Sequence, residues 1–323
     1  MKLRIATFNL ENFDDKPNEK PTLDERIALI RPQLLRLNAD VICLQEVNGQ
    51  EQAGQPRQLL ALDKLLAGTE YAGFNRVSTM TGNQVYDERN LVILSRFEIL
   101  ESKQHKPEGE PAYRRITADP PDTGANPVTW ERPILYAKLK LDASRALHVL
   151  NLHLKSRIPT DIPGQKINQF SWKSASAFAE GAFISSMKRM GQAAQTRKIV
   201  DGLFDATPEA LLVVCGDFNA EAEDVPMLAI RGDVEETQNA SLAGRVLVVC
   251  ETSVPLSSRF SLYHRGQGAM LDHILASRYL LAFYHGTEIH NELLHDESVL
   301  GASDRLYPES DHAPVVAEFE LPI

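Results

Sequence analysis

The sequence predicts two β-sheets that pack against each other and carry helices on their outer faces. Apolar or alternating stretches of strand length outnumber stretches with helical spacing, and helical stretches separate several pairs of strands. The chain has no internal repeat, no low-complexity tract and no linker-like composition. We therefore expect a single domain over residues 1–323, with a basic insertion at about 155–198.

The first expected element is a strand at residues 4–10, in which apolar residues alternate with others. It ends where a run of polar residues starts. Thr22 and Glu25 match a capping box, so a helix is expected to begin there. Its apolar residues recur at helical spacing and are Leu23, Ile27, Ile30, Leu34 and Leu37. Further elements are expected as strands at residues 41–44 and 90–95 and a helix at 58–66.

The second half continues with strands. Residues 103–132 hold many Pro and Gly residues and predict an exposed loop. Residues 134–141 and 146–154 predict an antiparallel pair around a short turn. A loop at 157–169 and a helix at 172–204 are expected next. The remaining strands are expected at residues 211–214, 245–249, 270–276 and 315–321.

Composition excludes several classes of protein. With 43% hydrophobic and 24% charged residues, the chain is typical of a soluble globular protein. It has no apolar run near the roughly 18 residues of a membrane helix, and residues 1–12 are too short and polar for a signal peptide. We therefore expect no membrane span and a cytoplasmic location. Cys43 and Cys215 lie in apolar strand patterns, and the odd cysteine count predicts no disulfide framework.

The net charge of -10 is unevenly distributed along the chain. Residues 155–198 contain two acidic residues, Asp161 and Glu180, against eight basic ones. The basic residues are Lys155, Arg157, Lys166, Lys173, Lys188, Arg189, Arg197 and Lys198. A basic stripe on an acidic protein steers an anionic substrate, although a solvated basic helix explains the same pattern.

Polar side chains gather where predicted strands end. These residues are Asn9, Glu46, Asn151, His153, Asp217, Asn219, Asp272, Ser310, Asp311 and His312. Carboxylate and amide oxygens without a Cys/His cluster suit magnesium or manganese, and they disfavour zinc. Histidines beside carboxylates suggest imidazoles that transfer protons. The pattern points to hydrolysis of a phosphate ester by metal-activated water, although each residue alone also fits an ordinary turn, surface or core position.

Six sequence blocks resemble the endonuclease/exonuclease/phosphatase family, which includes deoxyribonuclease I. In order along the chain they read TFNLENF, DVICLQEV, NLHLKS, GDFNAE, LDHILAS and SDHAPVVAEFEL, and they extend from Thr7 to Leu321. The resemblance implies an α+β fold, a four-layer α/β/β/α sandwich. In it, two mixed, mostly antiparallel sheets pack face to face with helices outside, and the active site lies at one edge.

The resemblance also implies roles for individual residues. Glu46 corresponds to the principal ligand of Mg²⁺, with Mn²⁺ as an alternative, and Asn9 and Asp311 to further metal ligands. Asp217 and Asn219 are expected to orient the attacking water and to hold the scissile phosphate.

Further catalytic and substrate-binding roles follow from the same resemblance. His312 is expected to be the catalytic histidine, oriented by Asp272. The YDERNL segment suggests that Glu88 pairs with His153. Three residues are assigned to binding the substrate phosphate, and they are Arg132, Asn151 and Lys155.

Two departures from the family pattern bear on the substrate. The YxPN-type segment of abasic-site endonucleases is absent from the sequence, and NLHLKS stands in its place. The stretch from 155 to about 198 is longer than the family core needs, so we expect it to overhang the site and to influence substrate choice.

Three functions remain open from the sequence. The first is a nuclease, in which aromatic residues among the basic ones stack on bases: Phe170, Trp172, Phe178 and Phe183. Phe178 and Phe183 lie among Ala, Ile and Met, however, which favours helix core. The second is a phosphatase or phosphodiesterase acting on a small-molecule, lipid or inositol phosphate. The third is a non-catalytic binding protein. No obligate protein partner is implied.

Overall fold

A computed structural model of the chain describes residues 1–130, 132–298 and 307–322. Within these residues the strands are β1 (Lys2–Phe13), β2 (Val41–Val47), β3 (Gln50–Gln52), β4 (Gln55–Gln58), β5 (Asn75–Ser78), β6 (Met80–Thr81), β7 (Gln84–Val85), β8 (Asn90–Ser95), β9 (Ile99–His105), β10 (Ala112–Tyr113), β11 (Asn126–Pro127), β12 (Ile134–Lys140), β13 (Ala146–His153), β14 (Leu211–Asp217), β15 (Leu247–Val249), β16 (Leu262–His264), β17 (Gln267–Ala269), β18 (Asp272–Ser277), β19 (Tyr284–Ile289) and β20 (Val315–Glu320).

The α-helices of the described residues are α1 (Leu23–Arg36), α2 (Leu60–Leu66), α3 (Ala175–Ala206), α4 (Val225–Arg231), α5 (Val234–Thr237) and α6 (Arg278–Leu281). Short 3-10 helices lie at Glu70–Gly73, Ala240–Arg245, Cys250–Ser253 and Leu256–Ser258. No helix in the described part of the chain combines the length and the apolar character needed to cross a membrane.

Twelve of the strands form two six-stranded sheets. The first sheet has the order β19-β20-β1-β2-β8-β5, and the second has the order β15-β18-β14-β13-β12-β9. Only the β1–β2 and β13–β14 pairs of these two sheets are parallel, within the described residues. The expectation of mixed, mostly antiparallel sheets is confirmed.

Three apolar clusters hold the layers together. The largest lies between the sheets and joins residues such as Ile5 and Cys43 of the first sheet to Val149 and Cys215 of the second. A second cluster packs α1 and α2 on the outer face of the first sheet, and a third packs α3 and α4 on the outer face of the second. The predicted four-layer α/β/β/α sandwich is therefore confirmed.

Helix α1 begins as its sequence predicts. The Thr22 hydroxyl accepts a hydrogen bond from the Glu25 backbone N–H, and the Glu25 carboxylate accepts one from the Thr22 N–H at 2.7 Å. This reciprocal pair satisfies two donors that a helix start otherwise leaves unpaired. Ile30 and Leu34 then pack fully buried against the first sheet.

Helix α3 serves two purposes along its 32 residues. Its C-terminal part buries Val200 and Phe204 against the second sheet, so this part belongs to the core layer. Its N-terminal part instead packs against loops from both sides, in a small cluster with Ala118, Val128 and Ile162. The predicted insertion at about 155–198 thus includes the N-terminal part of α3, and its bounds stay a prediction.

The N-terminal part of α3 and its two loops form a lobe, which we define as residues 111–130 and 158–190. Phe178 and Phe183 lie in this lobe with 48% and 50% of their surface exposed. The interpretation of these two side chains as helix core is wrong, because each makes an edge-to-face contact with one ring, Trp172 or Tyr113, and otherwise remains open to solvent.

The short strands of the two-stranded sheets were not predicted, and neither were three strands of the two large sheets, all of which lie at sheet edges. These three are β5, β9 and β19. In β9 the five residues from Leu100 to Gln104 are exposed or half-buried, so the strand lacks the apolar run that marks a buried strand. The end of β9 and the β10–β11 pair also interrupt the stretch that was expected as loop.

Candidate active site

The strand ends that carry the predicted residues meet around one cleft with a volume of about 1170 Å³. Nine of the twelve predicted site residues line it: Glu46, Glu88, Arg132, His153, Lys155, Asp217, Asn219, Asp311 and His312. The remaining three, Asn9, Asn151 and Asp272, are buried. Register explains part of this convergence, because Asp217 of β14 pairs with both His153 of β13 and Asp272 of β18.

His312 is oriented by a buried carboxylate. Its Nδ1 donates to Asp272 Oδ2 at 2.6 Å, and the same oxygen accepts the Ser261 hydroxyl at 2.7 Å. The Nε2 atom of His312 therefore lies on the cleft side, 3.9 Å from Asp311 Oδ1. Burial alone would lower the pKa of His312, but the carboxylates of Asp272, Asp311 and Asp217 raise it well above its usual value.

Asp217 accepts hydrogen bonds from several donors. Its Oδ1 accepts the Asn219 backbone N–H at 2.8 Å. Its Oδ2 accepts the side-chain amides of Asn9 and Asn219, both at 3.1 Å, and lies 3.3 Å from His153 Nε2. Burial works against the charged form, yet these donors and the charge of His312 lower the pKa of Asp217. Asp217 is therefore a fixed carboxylate.

His153 lies between two carboxylates. Its Nε2 is 3.3 Å from Asp217 Oδ2 and 3.5 Å from Glu46 Oε1, and the ring is buried. Burial, together with the nearby charge of Arg132, lowers the pKa of His153. A neutral ring that presents N–H at Nε2 fits these contacts, since both neighbours accept hydrogen bonds.

A cluster of carboxylates lies at the floor of the cleft and consists of Glu11, Glu46 and Asp311. Glu11 Oε2 accepts the Asp311 backbone N–H at 3.1 Å, and Glu46 Oε2 accepts the Asn12 backbone N–H at 3.0 Å. Burial and the Asp311 charge raise the pKa of Glu11 to about 8, while burial and the Glu46 charge raise that of Asp311 to about 6.

This carboxylate cluster fits a divalent cation. Asp311 Oδ1 is buried without a hydrogen-bond partner among the described residues. Repulsion between buried carboxylates is relieved when a cation lies among them, and an all-oxygen donor set suits Mg²⁺ or Mn²⁺. The assignment of Glu46 and Asp311 as metal ligands therefore stays a prediction, which this repulsion supports.

Among the described residues, the possible ligand atoms of Asp217, Asp272 and His312 do lie close together, all within 4.8 Å of one another. Asp272 Oδ2 already accepts both the Ser261 hydroxyl and the His312 ring. We therefore assign this group to the hydrogen-bond network that orients His312, and not to metal binding.

Backbone conformation is unusual at this cleft. Nine residues other than glycine have positive φ within the described chain, and five of them line the cleft: Glu11, Asn12, Glu46, Arg89 and Asn219. Such conformations are unfavourable for residues with a Cβ, and they concentrate at functional sites. These conformations lie near the ends of β1 and β2, before β8 and after β14, where polar side chains line the cleft.

The predicted pairing of Glu88 with His153 needs correction. Glu88 is exposed at the cleft rim, and the charged neighbours of His153 among the described residues are Glu46, Asp217 and Arg132. The two carboxylates of Glu46 and Asp217 already lie beside the ring of His153. From the turn before β8 it is Arg89 that acts on the site, since its charge, with those of His153 and Arg132, lowers the pKa of Glu46 against the effect of burial.

Asn151 also needs correction, because its side chain does not reach the cleft. It is fully buried between the sheets, where its amide donates to Leu44 O at 3.0 Å and to Val92 O at 2.9 Å. Its Oδ1 accepts the Gln45 amide at 2.7 Å. These bonds join β13 of the second sheet to β2 and β8 of the first, so Asn151 links the two sheets and does not bind phosphate.

Three other predicted residues have defined surroundings. Asn9 donates to Asp217 and accepts the Glu11 backbone N–H at 2.9 Å, so it positions Asp217, and its ligand role stays a prediction. Arg132 donates to Leu154 O at 3.2 Å. Lys155 donates to the Ser156 hydroxyl at 2.9 Å. Arg132 and Lys155 both lie in the cleft wall, where a bound phosphate would be within reach.

Sequence reasoning missed three residues of the site. Glu11 stands two residues after Asn9, and this spacing was the available signal. Arg89 lies in the YDERNL segment that was assigned to the site through its neighbour Glu88. Ser261 holds Asp272 through its hydroxyl, and no local pattern marks it.

Comparison with known proteins gives one family and several similar folds. The profile of the endonuclease/exonuclease/phosphatase family matches residues 6–312. A search of curated proteins returned no match. Similar solved structures include a family protein from Bacteroides thetaiotaomicron, with 17% identity, a TM-score of 0.60 and 99% of each chain covered.

Two further structures show the same fold. Truncated Caenorhabditis elegans TDP2 has 15% identity and a TM-score of 0.58, with 98% of this chain and 97% of that chain covered. The 3′ phosphatase NExo from Neisseria, bound to a product DNA hairpin, has 20% identity and a TM-score of 0.54, with 99% and 100% covered. Since the profile spans most of the sequence, the chain belongs to the endonuclease/exonuclease/phosphatase family and is a hydrolase that acts on phosphate esters.

Proposed function

We propose that the protein is a metal-dependent nuclease that hydrolyses phosphodiester bonds. The observation that carries this proposal is the arrangement of charges in the cleft. A carboxylate held ionised, Asp217, and an imidazole held protonated, His312, lie beside the carboxylate cluster of Glu11, Glu46 and Asp311.

The carboxylate cluster would hold the cation. We assign Glu46 as the principal ligand, with Asp311 and Glu11 completing the donor set, and Mg²⁺ as the ion, with Mn²⁺ as an alternative. When bound, such a cation neutralises charge that develops on a phosphate oxygen.

Asp217 is placed to accept a hydrogen bond from the attacking water and to orient it. Asn219 and Asn9 fix the orientation of this carboxylate. A general base in this position typically accelerates a reaction by about 10² to 10⁴. The carboxylates around His312 raise its pKa and favour the protonated ring, so we assign the base role to Asp217.

His312 acts through its protonated Nε2. With Nδ1 bonded to Asp272, Nε2 can donate a hydrogen bond to a phosphate oxygen or to the leaving oxygen. His153, neutral and held by Glu46 and Asp217, presents an N–H from the opposite side of the carboxylates. The two rings thus have different charge states, which their surroundings set.

A nucleic acid fits the walls of the cleft. Four basic residues line them, namely Arg89, Arg132, Lys155 and Arg157. Glu88, Glu221 and Glu297 line the cleft as well, and Arg157 pairs with Glu221 and Asp224. Arg89, Arg132 and Lys155 are therefore the basic residues that we assign to phosphates next to the one being cleaved. Among the structural neighbours, NExo from Neisseria is described as a 3′ phosphatase bound to a DNA hairpin, and another as an AP endonuclease from Archaeoglobus fulgidus.

The test is a panel of substrates offered to metal-stripped protein, with and without Mg²⁺ or Mn²⁺. The panel comprises supercoiled plasmid, single- and double-stranded oligonucleotides and a bis-aryl phosphodiester, with Asp217→Asn as the blank. We expect metal-dependent cleavage of nucleic acid whose rate falls steeply with salt. Hydrolysis of the small diester alone, with all nucleic acids intact, would contradict the nuclease assignment and favour a phosphatase or phosphodiesterase of small or lipid phosphates.

A further inference from the structure

The lobe of residues 111–130 and 158–190 is held together by buried hydrogen bonds. Its loops are tied to α3 through the buried carboxylate of Glu180, which accepts the Tyr113 hydroxyl at 2.9 Å and the Thr117 backbone N–H at 2.9 Å. The Ile116 backbone N–H donates to the same carboxylate. A surface carried by this lobe is therefore held in place before any partner binds.

A hydrogen-bonded hairpin at the edge of the lobe presents apolar side chains to solvent. Lys166 and Trp172 pair across it, and the Ile167 N–H donates to Ser171 O at 2.8 Å. The side chains of Ile167 and Phe170 remain 69% and 83% exposed at its tip. Exposing an aromatic side chain on an ordered tip is unfavourable in water, so it points to a binding surface.

Behind this tip lies an aromatic shelf formed by Trp172 and Phe178. Their ring centroids are 5.9 Å apart with an edge-to-face angle of 84°. The Lys166 ammonium lies over the Trp172 ring at 4.4 Å from its centroid. Aromatic rings beside a fixed cation are what successive unstacked bases and their phosphates require.

The shelf adjoins the loop that forms one wall of the active-site cleft. Trp172 and Pro159 both pack closely on Gly181, where an added Cβ would lie 3.0 Å from the Trp172 ring and 3.1 Å from Pro159. The residue before Pro159, Ile158, is 72% exposed and lines the cleft, as does Arg157. The shelf is therefore a neighbour of this wall of the cleft.

The positive charge of the lobe surface favours an anionic polymer as its partner. Six basic residues lie in the lobe: Arg114, Arg115, Lys166, Lys173, Lys188 and Arg189. Of its four acidic residues, Glu180 is buried in hydrogen bonds, Asp161 pairs with Lys166 at 3.3 Å and Asp122 pairs with Arg115 at 2.6 Å, which leaves Asp119. The surface is thus locally basic on a chain whose net charge is -10.

We infer that the lobe binds the unpaired nucleotides of a single-stranded nucleic acid segment adjoining the scissile phosphate, with bases stacking on Phe170 and Phe178. This inference rests on the proposed nuclease function and adds a preference for single-stranded substrates or substrates with frayed ends. The bases of an intact duplex are stacked in pairs and cannot reach the aromatic rings.

The test measures binding of a fluorescein-labelled single-stranded oligonucleotide and of a blunt duplex of the same length by anisotropy, at one fixed salt concentration. All proteins carry Asp217→Asn to prevent cleavage. Phe170→Ala/Phe178→Ala is compared with Leu256→Ala, a matched control that removes a side chain 81% exposed outside the lobe. Thermal unfolding shows whether each variant retains its fold.

We expect the double variant to bind the single strand at least about tenfold more weakly, since each aromatic stack contributes substantially, and to bind the duplex as the parent does. The control should match the parent on both. Single-strand affinity within twofold of the parent, while the wild type cleaves nucleic acid, overturns this inference alone. Absence of nucleic acid cleavage by the wild type instead overturns the proposed function.

A membrane partner gives a different result. If phosphatidylserine vesicles bind the parent and not the double variant, and oligonucleotide affinity is unchanged, the surface is membrane-directed and the inference is overturned.

Discussion

Asp272 and His312 lie 40 residues apart and are joined by a hydrogen bond of 2.6 Å between Oδ2 and Nδ1. Asp272 is fully buried and its Oδ2 is also held by Ser261, so its position is fixed independently of His312. The bond fixes the ring of His312 so that Nε2 lies on the cleft side. The charge of the Asp272 carboxylate also favours the protonated ring.

The first prediction concerns the pH dependence of cleavage. If His312 acts as a protonated donor, activity is lost as pH rises through its pKa, which Asp272 raises against the effect of burial. Asp272→Asn removes that charge, so the pKa of His312 should fall and the alkaline limb of the pH–rate profile should move to lower pH. Comparing the profiles of wild type and Asp272→Asn checks this. An unchanged alkaline limb would exclude His312 as the titrating donor.

The second prediction concerns the cation. Glu46→Gln should raise the Mg²⁺ concentration needed for half-maximal activity and should reduce the rise in melting temperature when Mg²⁺ is added, since ligand binding stabilises the fold. Glu88→Gln is the matched control, because Glu88 is an exposed carboxylate in the same cleft. Equal Mg²⁺ dependence in Glu46→Gln and wild type would remove Glu46 from the metal site.

The third prediction separates a structural residue from the catalytic ones. Asn151→Leu leaves the carbonyls of Leu44 and Val92 and the amide of Gln45 without their partner between the sheets. Unsatisfied buried groups cost about 1–3 kcal/mol each, and partial relaxation suggests a total loss of about 3 kcal/mol.

Urea unfolding measures this loss. Asn75→Leu, at an exposed position of the edge strand β5, should cost less than about 1 kcal/mol. If the Asn151→Leu variant unfolds at the same urea concentration as the wild type but loses catalysis, Asn151 has the phosphate-binding role that the sequence predicted.

The fold was largely predictable because the buried strands carry apolar or alternating stretches of strand length. The strand at Asn90–Ser95 has the predicted bounds, and β14 extends the predicted stretch by three residues to Asp217. Edge strands such as β9 could not be predicted, because one side of an edge strand faces solvent and hydrogen bonding rather than burial defines it.

The candidate site was predictable in its residue types and motifs, and less so in its contacts. Asn9 and Asp217 are 208 residues apart, and only the packing of two sheets brings them to 3.1 Å. Asn151 and His153 are separated by one residue in β13, so their side chains lie on the same face of the strand. Even so, Asn151 forms hydrogen bonds to the other sheet, while His153 lies in the cleft. Sequence spacing does not show which polar side chains form hydrogen bonds between the sheets and are therefore not free to face the cleft.

The choice between Glu88 and Arg89 has a similar cause. Both belong to one segment, and Arg89, which has a positive φ, is the one whose charge acts on Glu46. Backbone conformation at a single residue of this kind leaves no periodic signal in the sequence.

A fourth prediction concerns stability and a buried pair behind the site. His273 Nδ1 contacts the Glu251 carboxylate, and its Nε2 donates to Ala220 O at 2.8 Å, close to the turn that carries Asn219. Burial would lower the pKa of His273, but Glu251 and the Ala220 carbonyl raise it.

A pKa that is higher in the folded state than in the unfolded state stabilises the fold below the unfolded pKa, about 6.5 for histidine, and this contribution is lost as pH rises through the folded value. Glu251→Gln should therefore reduce stability more at pH 6 than at pH 9 in urea unfolding. An equal loss at both pH values would show that the pair does not titrate.

The most direct test of the central claim is the single-turnover rate of oligonucleotide cleavage by wild type and Asp217→Asn at saturating Mg²⁺, with melting temperature and oligonucleotide affinity measured alongside. Asn keeps the size of the side chain and removes the charge that Asn9, Asn219 and His153 hold in place. We predict a rate at least about 100-fold lower with fold and binding retained. A rate within tenfold of wild type would contradict the assignment of Asp217 as the residue that orients and deprotonates the attacking water.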